Sequence, residues 1–361
     1  MADTKRISET AALRLAEQIV ARSMPGDWSG KFVQAPGRAA GRRETSLRIR
    51  SPDGEVNDFA VVVKEKLDPQ SAVNLLDSMG IDATTTLRGV RPVSVVIVAP
   101  YLSERARELI SARGASYVDS TGNMHLRSDR PALFISTYGA ARDPWPDDQP
   151  LKTLRGRGAG RALRAVVDFR PPFGVRELAT RADVSTATLA RVVDLLARDA
   201  LLTRDQRGRV IYVDWDRCIR RWSKDYEFLT SNRTTRFLAV RTFRDVTATL
   251  RTVKWRYALT GSLATEPFSQ IAPPRQGMLF VDDVQTAART LDLRETVLGA
   301  NLLIAEPFDP VVYQRTIKHN GLTLAAPSQI AADLLTGTGR MPSEGVEMLA
   351  WMKDNESVWR R

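Results

Sequence analysis

The sequence has one cysteine, Cys218, and two histidines, His125 and His319, among 361 residues. A single thiol excludes an intramolecular disulfide, and three such ligands spread along the chain exclude a zinc site of closely spaced Cys and His. Aromatic residues are scarce at 7%, and no stretch approaches the roughly 18 uninterrupted apolar residues that a membrane-spanning helix needs. Residues Met1 to Glu9 lack the apolar core of a signal peptide. The expected compartment is therefore the cytoplasm, with no membrane partner.

What is present is enough apolar material for a globular chain, 43% of the residues. At about 150 residues per domain the length suggests two or three domains. The composition favours three: 1–142, a basic linker at 143–160, 161–215, and 216–361. The linker begins in the acidic, proline-bearing stretch Asp143 to Asp148. It continues into a basic run holding Arg155, Arg157 and three glycines, which would permit an extended path.

Charge is unevenly shared. Residues 1–150 carry 20 Lys and Arg against 19 Asp and Glu, residues 151–260 carry 24 against 11, and residues 261–361 carry 9 against 12. The net values are +1, +13 and −3. The strong preference for Arg over Lys, 44 to 9, would affect all three segments alike if it were only a genomic bias. A basic excess confined to the middle points to a polyanion there.

The first segment reads as an α/β domain. A helix is expected from Ser8 to Arg22, strands at Ser46–Arg50 and Phe59–Val63 around a Pro52-Asp53-Gly54 turn, and a helix at Gln70–Met79. A fully apolar strand, Val95–Ala99, follows, then a helix from Ser103 to Arg113 and a strand at Ser116–Val118. The run Asp119-Ser-Thr-Gly-Asn123 before Met124–Arg127 fits a hairpin turn, with a small polar site of Asp119, Asn123 and His125 as the alternative.

From Gly160 onward the pattern becomes specific. Leu163, Val166 and Val167 mark a first helix that Arg170-Pro171-Pro172 ends, and Val175–Arg181 forms a second. After a turn at Asp183-Val184, Ser185 caps a third helix whose core face is Leu189, Val192, Val193, Leu195 and Leu196. Two short strands, Leu201–Arg204 and Arg209–Val213, meet at a turn containing Gly208. Helix, turn, helix and β-hairpin in this order define a winged helix-turn-helix, and the string Val175 to Arg191 resembles the bacterial winged-helix family.

That resemblance implies a third helix in the major groove of duplex DNA and a wing on the backbone or in the minor groove. The DNA-binding candidates are Arg155, Arg157, Arg161, Ser185, Thr186, Thr188, Arg191, Arg204, Arg207 and Arg209. Arg191 suits a bidentate contact to guanine, and the wing arginines suit phosphates.

The flanking domains resemble enzyme folds with missing acids. The strand running from Asp58 to Lys64 resembles a restriction-endonuclease-like core, but its Glu-x-Lys position is Val62-Val63-Lys64, which lacks a carboxylate for Mg²⁺. Gly261-Ser262 and a strand from Met278 to Asp283, with the adjacent Asp282 and Asp283 on its opposite faces, resemble a nucleotidyltransferase fold, yet Phe280 stands two residues before Asp282 where a second metal ligand belongs. The expected fold is thus an α/β N-terminal domain, a winged helix-turn-helix, and an α+β nucleotidyltransferase-like C-terminal domain, with no catalytic residues, metal or cofactor.

Residues 151–361 resemble bacterial AbiEi-type antitoxins and transcriptional regulators. Asp214-Trp215, Trp222, Tyr226, Thr260-Gly-Ser-Leu-Ala264, Glu306-Pro-Phe-Asp309, Ser328-Gln329 and Asp333-Leu-Leu335 carry that resemblance. It implies a sequence-specific DNA-binding autorepressor, with a cognate toxin, another protein or a second copy of the chain as further partner. The extra first domain departs from the two-domain antitoxin. A DNA-processing enzyme, whether nuclease or nucleotidyltransferase, is the alternative.

Overall fold

An apolar strand with helices on both sides organises the first part of the chain. The computed structural model describes residues 7–36, 43–81, 94–145, 153–268 and 274–361. Its first elements are α1 (Glu9–Ser23), β1 (Ser29–Pro36), β2 (Arg43–Arg50), β3 (Val56–Val63), α2 (Pro69–Ser78), β4 (Val95–Ala99), α3 (Glu104–Ala112), β5 (Ser116–Asp119), β6 (Met124–Asp129) and β7 (Ala132–Thr137). The seven strands form one sheet in sequence order. Neighbours are antiparallel from β1 to β3, parallel from β3 to β5 and antiparallel to β7.

All five residues of β4 are buried. Val96 and Val98 pack with Ala12, Ala16 and Val20 of α1, while Val95, Ile97 and Ala99 pack with Ala72 and Leu76 of α2 and Ala106 and Ile110 of α3. Burial on both faces replaces alternation with a continuous apolar run. Ser8, Asp68 and Ser103 cap the three helices by accepting backbone N–H groups. Asp119 is fully buried and accepts from the backbone N–H groups of Leu102, Thr121 and Asn123 and from the side chains of Thr121 and Asn123. His125 stacks with Tyr117 and meets the edge of Phe134. The Asp119 turn is thereby accounted for as the hairpin that joins β5 to β6.

The second part contains α4 (Arg157–Asp168), α5 (Val175–Arg181), α6 (Thr186–Arg198), β8 (Leu202–Arg204), β9 (Val210–Val213), α7 (Trp215–Trp222), α8 (Phe228–Ser231), β10 (Arg233–Ala239), α9 (Phe243–Leu250), β11 (Tyr257–Thr260) and β12 (Gly277–Val281). It continues through α10 (Val284–Thr290), β13 (Leu293–Glu295), β14 (Leu302–Glu306), β15 (Ile317–His319), β16 (Leu322–Leu324), α11 (Pro327–Leu335), α12 (Met341–Asp354) and α13 (Glu356–Trp359). The strands β8 and β9 pair as a hairpin, and the others form a mixed sheet ordered β13-β10-β14-β12-β11-β16-β15. The chain is mixed α/β.

The chain divides into two compact units, residues 1–149 with 198–200, and the remainder. The boundary expected near 215 lies inside the second of these. One buried core extends from Leu154 to Trp359, so α4 to α6 pack in the same interior as the mixed sheet. The linker expected at 143–160 also ends earlier than its glycines suggested, since α4 already starts at Arg157; residues 146–152 lie outside the described residues. Gly160 lies inside α4, where the ring of Phe308 comes so near that an added Cβ would lie 2.7 Å from it. Gly158 and Gly160 permit close packing rather than an extended path.

A buried polar network joins this interior. Arg164 of α4 donates to Asp168 at 3.2 Å and to Gln329 of α11 at 2.8 Å, and Arg315 donates to the same Asp168 at 2.6 Å. Asp333 of α11 accepts from Tyr226 at 2.7 Å, Thr260 at 2.6 Å and Gln329 at 2.9 Å. Burial pushes Asp168 up, but Arg164 and Arg315 more than reverse this and hold it below the usual carboxylate range. Asp333 has no guanidinium in direct contact among the described residues; burial outweighs its hydrogen bonds and pushes it up to about 6.

No described helix is long and apolar enough to cross a membrane.

Candidate nucleic-acid interface

The turn between α5 and α6 bends sharply at Asp183, whose φ of 51° is left-handed, a conformation that aspartate tolerates better than most residues. Ser185 then caps α6. Its Oγ accepts the Thr188 N–H at 3.1 Å and donates to Thr188 Oγ1 at 2.8 Å. Leu189, Val192, Val193, Leu195 and Leu196 turn inward, leaving Thr186, Ala187 and Arg191 exposed on the outer face and Thr188 half-buried.

The N-terminus of α4 lies beside that of α6, since a methyl added at Gly158 would come within 3.2 Å of Thr188 Cγ2. The first turn of α4 holds Arg157 and no acid, and Gly156 before it provides no side-chain cap. Its leading N–H groups and positive dipole end are open to an anion. Arg155 and Arg157 are exposed and line a cleft of about 800 Å³ whose floor includes Trp222, Tyr226 and Phe308.

In the hairpin, Asp205 accepts the backbone N–H groups of Arg207 and Arg209, each at 2.9 Å, and Gly208 takes a φ of 77°. This closes the turn and leaves the Arg207 side chain exposed at its tip. Arg155, Arg157, Arg191 and Arg207 form no ion pair among the described residues.

Other candidates are committed within the protein. Arg161 holds Asp309 through two hydrogen bonds of 3.1 and 2.8 Å and reaches the Asp183 carboxylate at 3.0 Å. The bond to Asp309 raises its already high pKa. Arg204 pairs with Asp194 of α6, and Arg209 donates to the Pro172 carbonyl at 3.4 Å. Ser185 is occupied as the helix cap. The sequence placed all four on DNA; their partners lie 10 to 148 positions away, or, for Ser185, are local, which residue type does not reveal.

Sequence reasoning also overestimated how much of the basic excess belongs here. Residues 151–215 carry 13 basic and 7 acidic side chains, whereas residues 216–260 carry 11 and 4. The net charges are +6 and +7, so the larger share follows the hairpin.

The enzyme-like positions are held by internal partners. Asp58 on β3 is paired with Arg48 on β2 through two 2.8 Å bonds, and Val62 packs against the α2 and α3 side of the sheet. The Ser262 hydroxyl is buried and donates to Glu344. Asp282 and Asp283, expected on opposite faces of a strand, both fall beyond the end of β12: Asp282 accepts from Arg256 at 2.9 and 3.0 Å, and Asp283 caps α10. Among the described residues no group of three or more His, Cys, Asp and Glu is arranged to hold a metal ion.

No protein-family model, no curated protein and no solved structure matches this chain.

Proposed function

We propose that residues 157–213 are a winged helix-turn-helix that binds double-stranded DNA sequence-specifically, and that the protein is a transcriptional regulator of the autorepressing, AbiEi-like kind. The observation that carries this reading is the pair of adjacent helix N-termini at Gly158 and Thr188. Arg155, Arg157, Thr186 and Arg191 surround them without a carboxylate partner among the described residues. Two N-terminal dipole ends and unpaired guanidiniums suit phosphate oxygens, and α6 offers threonine and arginine to base edges. Arg207 at the hairpin tip suits a backbone contact.

In this reading the first unit is a degenerate restriction-endonuclease-like domain, and the mixed sheet after α8 is a nucleotidyltransferase-like fold without transfer activity. The commitment of Asp58 to Arg48 and of Asp282 to Arg256 supports a role without catalysis. A cognate toxin or a second copy remains the further partner that the family resemblance implies.

Selection of bound duplexes from a randomised pool, followed by affinity measurements at two salt concentrations, tests the proposal. We expect one enriched sequence and a log–log salt slope of several units, about 0.9 per phosphate contact. Failure to retain any duplex, or salt-independent retention, overturns it.

A further inference from the structure

Two segments of the second unit, the connection from α9 to β11 and the strand β15, bring four cations to one concavity of about 330 Å³. Arg251 and Lys254 follow α9, Arg256 precedes β11, and Lys318 lies on β15. No Asp or Glu is among the described residues of the wall. Three of these four belong to the 216–260 segment, whose net +7 the DNA-binding proposal leaves unused.

Each cation keeps donors available. Arg251 uses Nε on the Asn320 carbonyl at 2.9 Å, and Arg256 uses Nε and one terminal nitrogen on Asp282. Lys318 donates one of its three protons to Thr323 Oγ1, while Lys254 has no partner among the described residues. The Tyr313 ring lies on the same wall beneath the Arg256 guanidinium, and its buried hydroxyl faces the Asp282 carboxylate that Arg256 also holds. Burial and the Asp282 carboxylate push its pKa up, so the proton stays on the hydroxyl between the ring and Asp282.

We propose that this pocket binds the terminal phosphate of a small phosphorylated ligand. A phosphodiester of DNA carries one negative charge, whereas a terminal phosphate carries about −1.5 to −2 at neutral pH, so a concave cluster of cations favours the latter. The volume lies at the small end of ligand sites, which run from about 300 to 1,000 Å³, and suits a mononucleotide or pyrophosphate better than a polymer. The site is separate from the nucleotidyltransferase-like Gly261-Ser262, which follows the C-terminal end of β11 while Arg256 precedes its N-terminal end. It also stands independently of the DNA reading.

Calorimetric titration of the full chain with pyrophosphate, adenosine monophosphate and adenosine tests this. We expect one site for the two phosphates and none for adenosine. Lys254→Ala/Lys318→Ala should weaken both at least tenfold with unchanged thermal unfolding. Duplex affinity should be unchanged in the double variant. Absence of phosphate binding, or binding undiminished in a folded double variant, overturns the proposal. Loss of duplex affinity without phosphate binding also overturns it and assigns the cations to the DNA backbone. Phosphate binding without duplex binding supports the pocket while removing the DNA reading.

Discussion

Arg161 on α4 holds Asp309, 148 residues further along the chain, in a two-point ion pair that is buried at the carboxylate and partly open at the guanidinium. The pair fixes the first helix of the proposed DNA-binding module to the segment after β14. Asp309 also accepts the Val311 N–H at 2.9 Å, so it cannot turn away without losing two kinds of partner.

Removing either member should therefore act on stability first. Arg161→Ala leaves a buried carboxylate uncompensated and should cost about 3 kcal/mol, near the lower end for broken buried pairs because Arg161 is partly exposed. Urea unfolding measures the loss, and duplex binding corrected for the folded fraction should keep its salt slope. A slope reduced by one at unchanged stability would place Arg161 on phosphate instead.

Gly160 makes a steric prediction. Alanine normally improves a helix interior by up to about 1 kcal/mol, but here its Cβ would lie 2.7 Å from Phe308. Overpacking at about 1–3 kcal/mol should win, so Gly160→Ala should lower the unfolding midpoint. Gly160→Ala/Phe308→Leu should recover part of the loss relative to Phe308→Leu alone. A stabilised single variant would show that the ring moves freely.

Asp333 predicts a pH dependence. Its carboxyl is pushed up to about 6 in the fold, while an unfolded chain releases this proton near pH 4. Between these values the folded state binds more protons, so the contribution of this residue to stability falls as pH rises through the window and is level above it. A displacement of about two pKa units corresponds to about 3 kcal/mol. Asp168, held low by its arginines, acts with the opposite sign at lower pH. The gap between wild type and Asp333→Asn should thus shift against the wild type from pH 4 to 6; a constant gap in denaturant titrations would contradict the assignment.

Reading and gripping should separate within the proposed interface. Arg191 lies about one and a half turns into α6 on its exposed face, so Arg191→Ala should cost roughly 1–3 kcal/mol on the preferred duplex and much less on a scrambled one. Arg207→Ala should weaken both by similar factors and reduce the salt slope by about one. Competition binding with the two duplexes distinguishes them. Equal losses for Arg191→Ala would mean that the residue grips without reading.

Local chemistry made several elements legible from the sequence alone. The apolar run Val95–Ala99 is β4, Val175–Arg181 is α5 to the residue, and Ser185 and Ser103 stand where a capping hydroxyl is needed. These follow from interactions within a few residues, which the order of side chains specifies directly. Strands β1 and β7 were not foreseen, because edge strands of an antiparallel flank gain their order from a neighbour rather than from an apolar run of their own.

Tertiary structure decided the rest. Gly160 looked like linker and became a helix contact because Phe308 meets it; Arg161 looked like a phosphate contact and became the partner of Asp309. Residues as distant as Arg164, Tyr226, Thr260, Gln329 and Asp333 read as separate fragments, yet they satisfy one another inside a single core. A charge exposes its type in the sequence, but whether it faces solvent or a buried counterion depends on which distant segments the hydrophobic interior brings together, and only the folded chain fixes that.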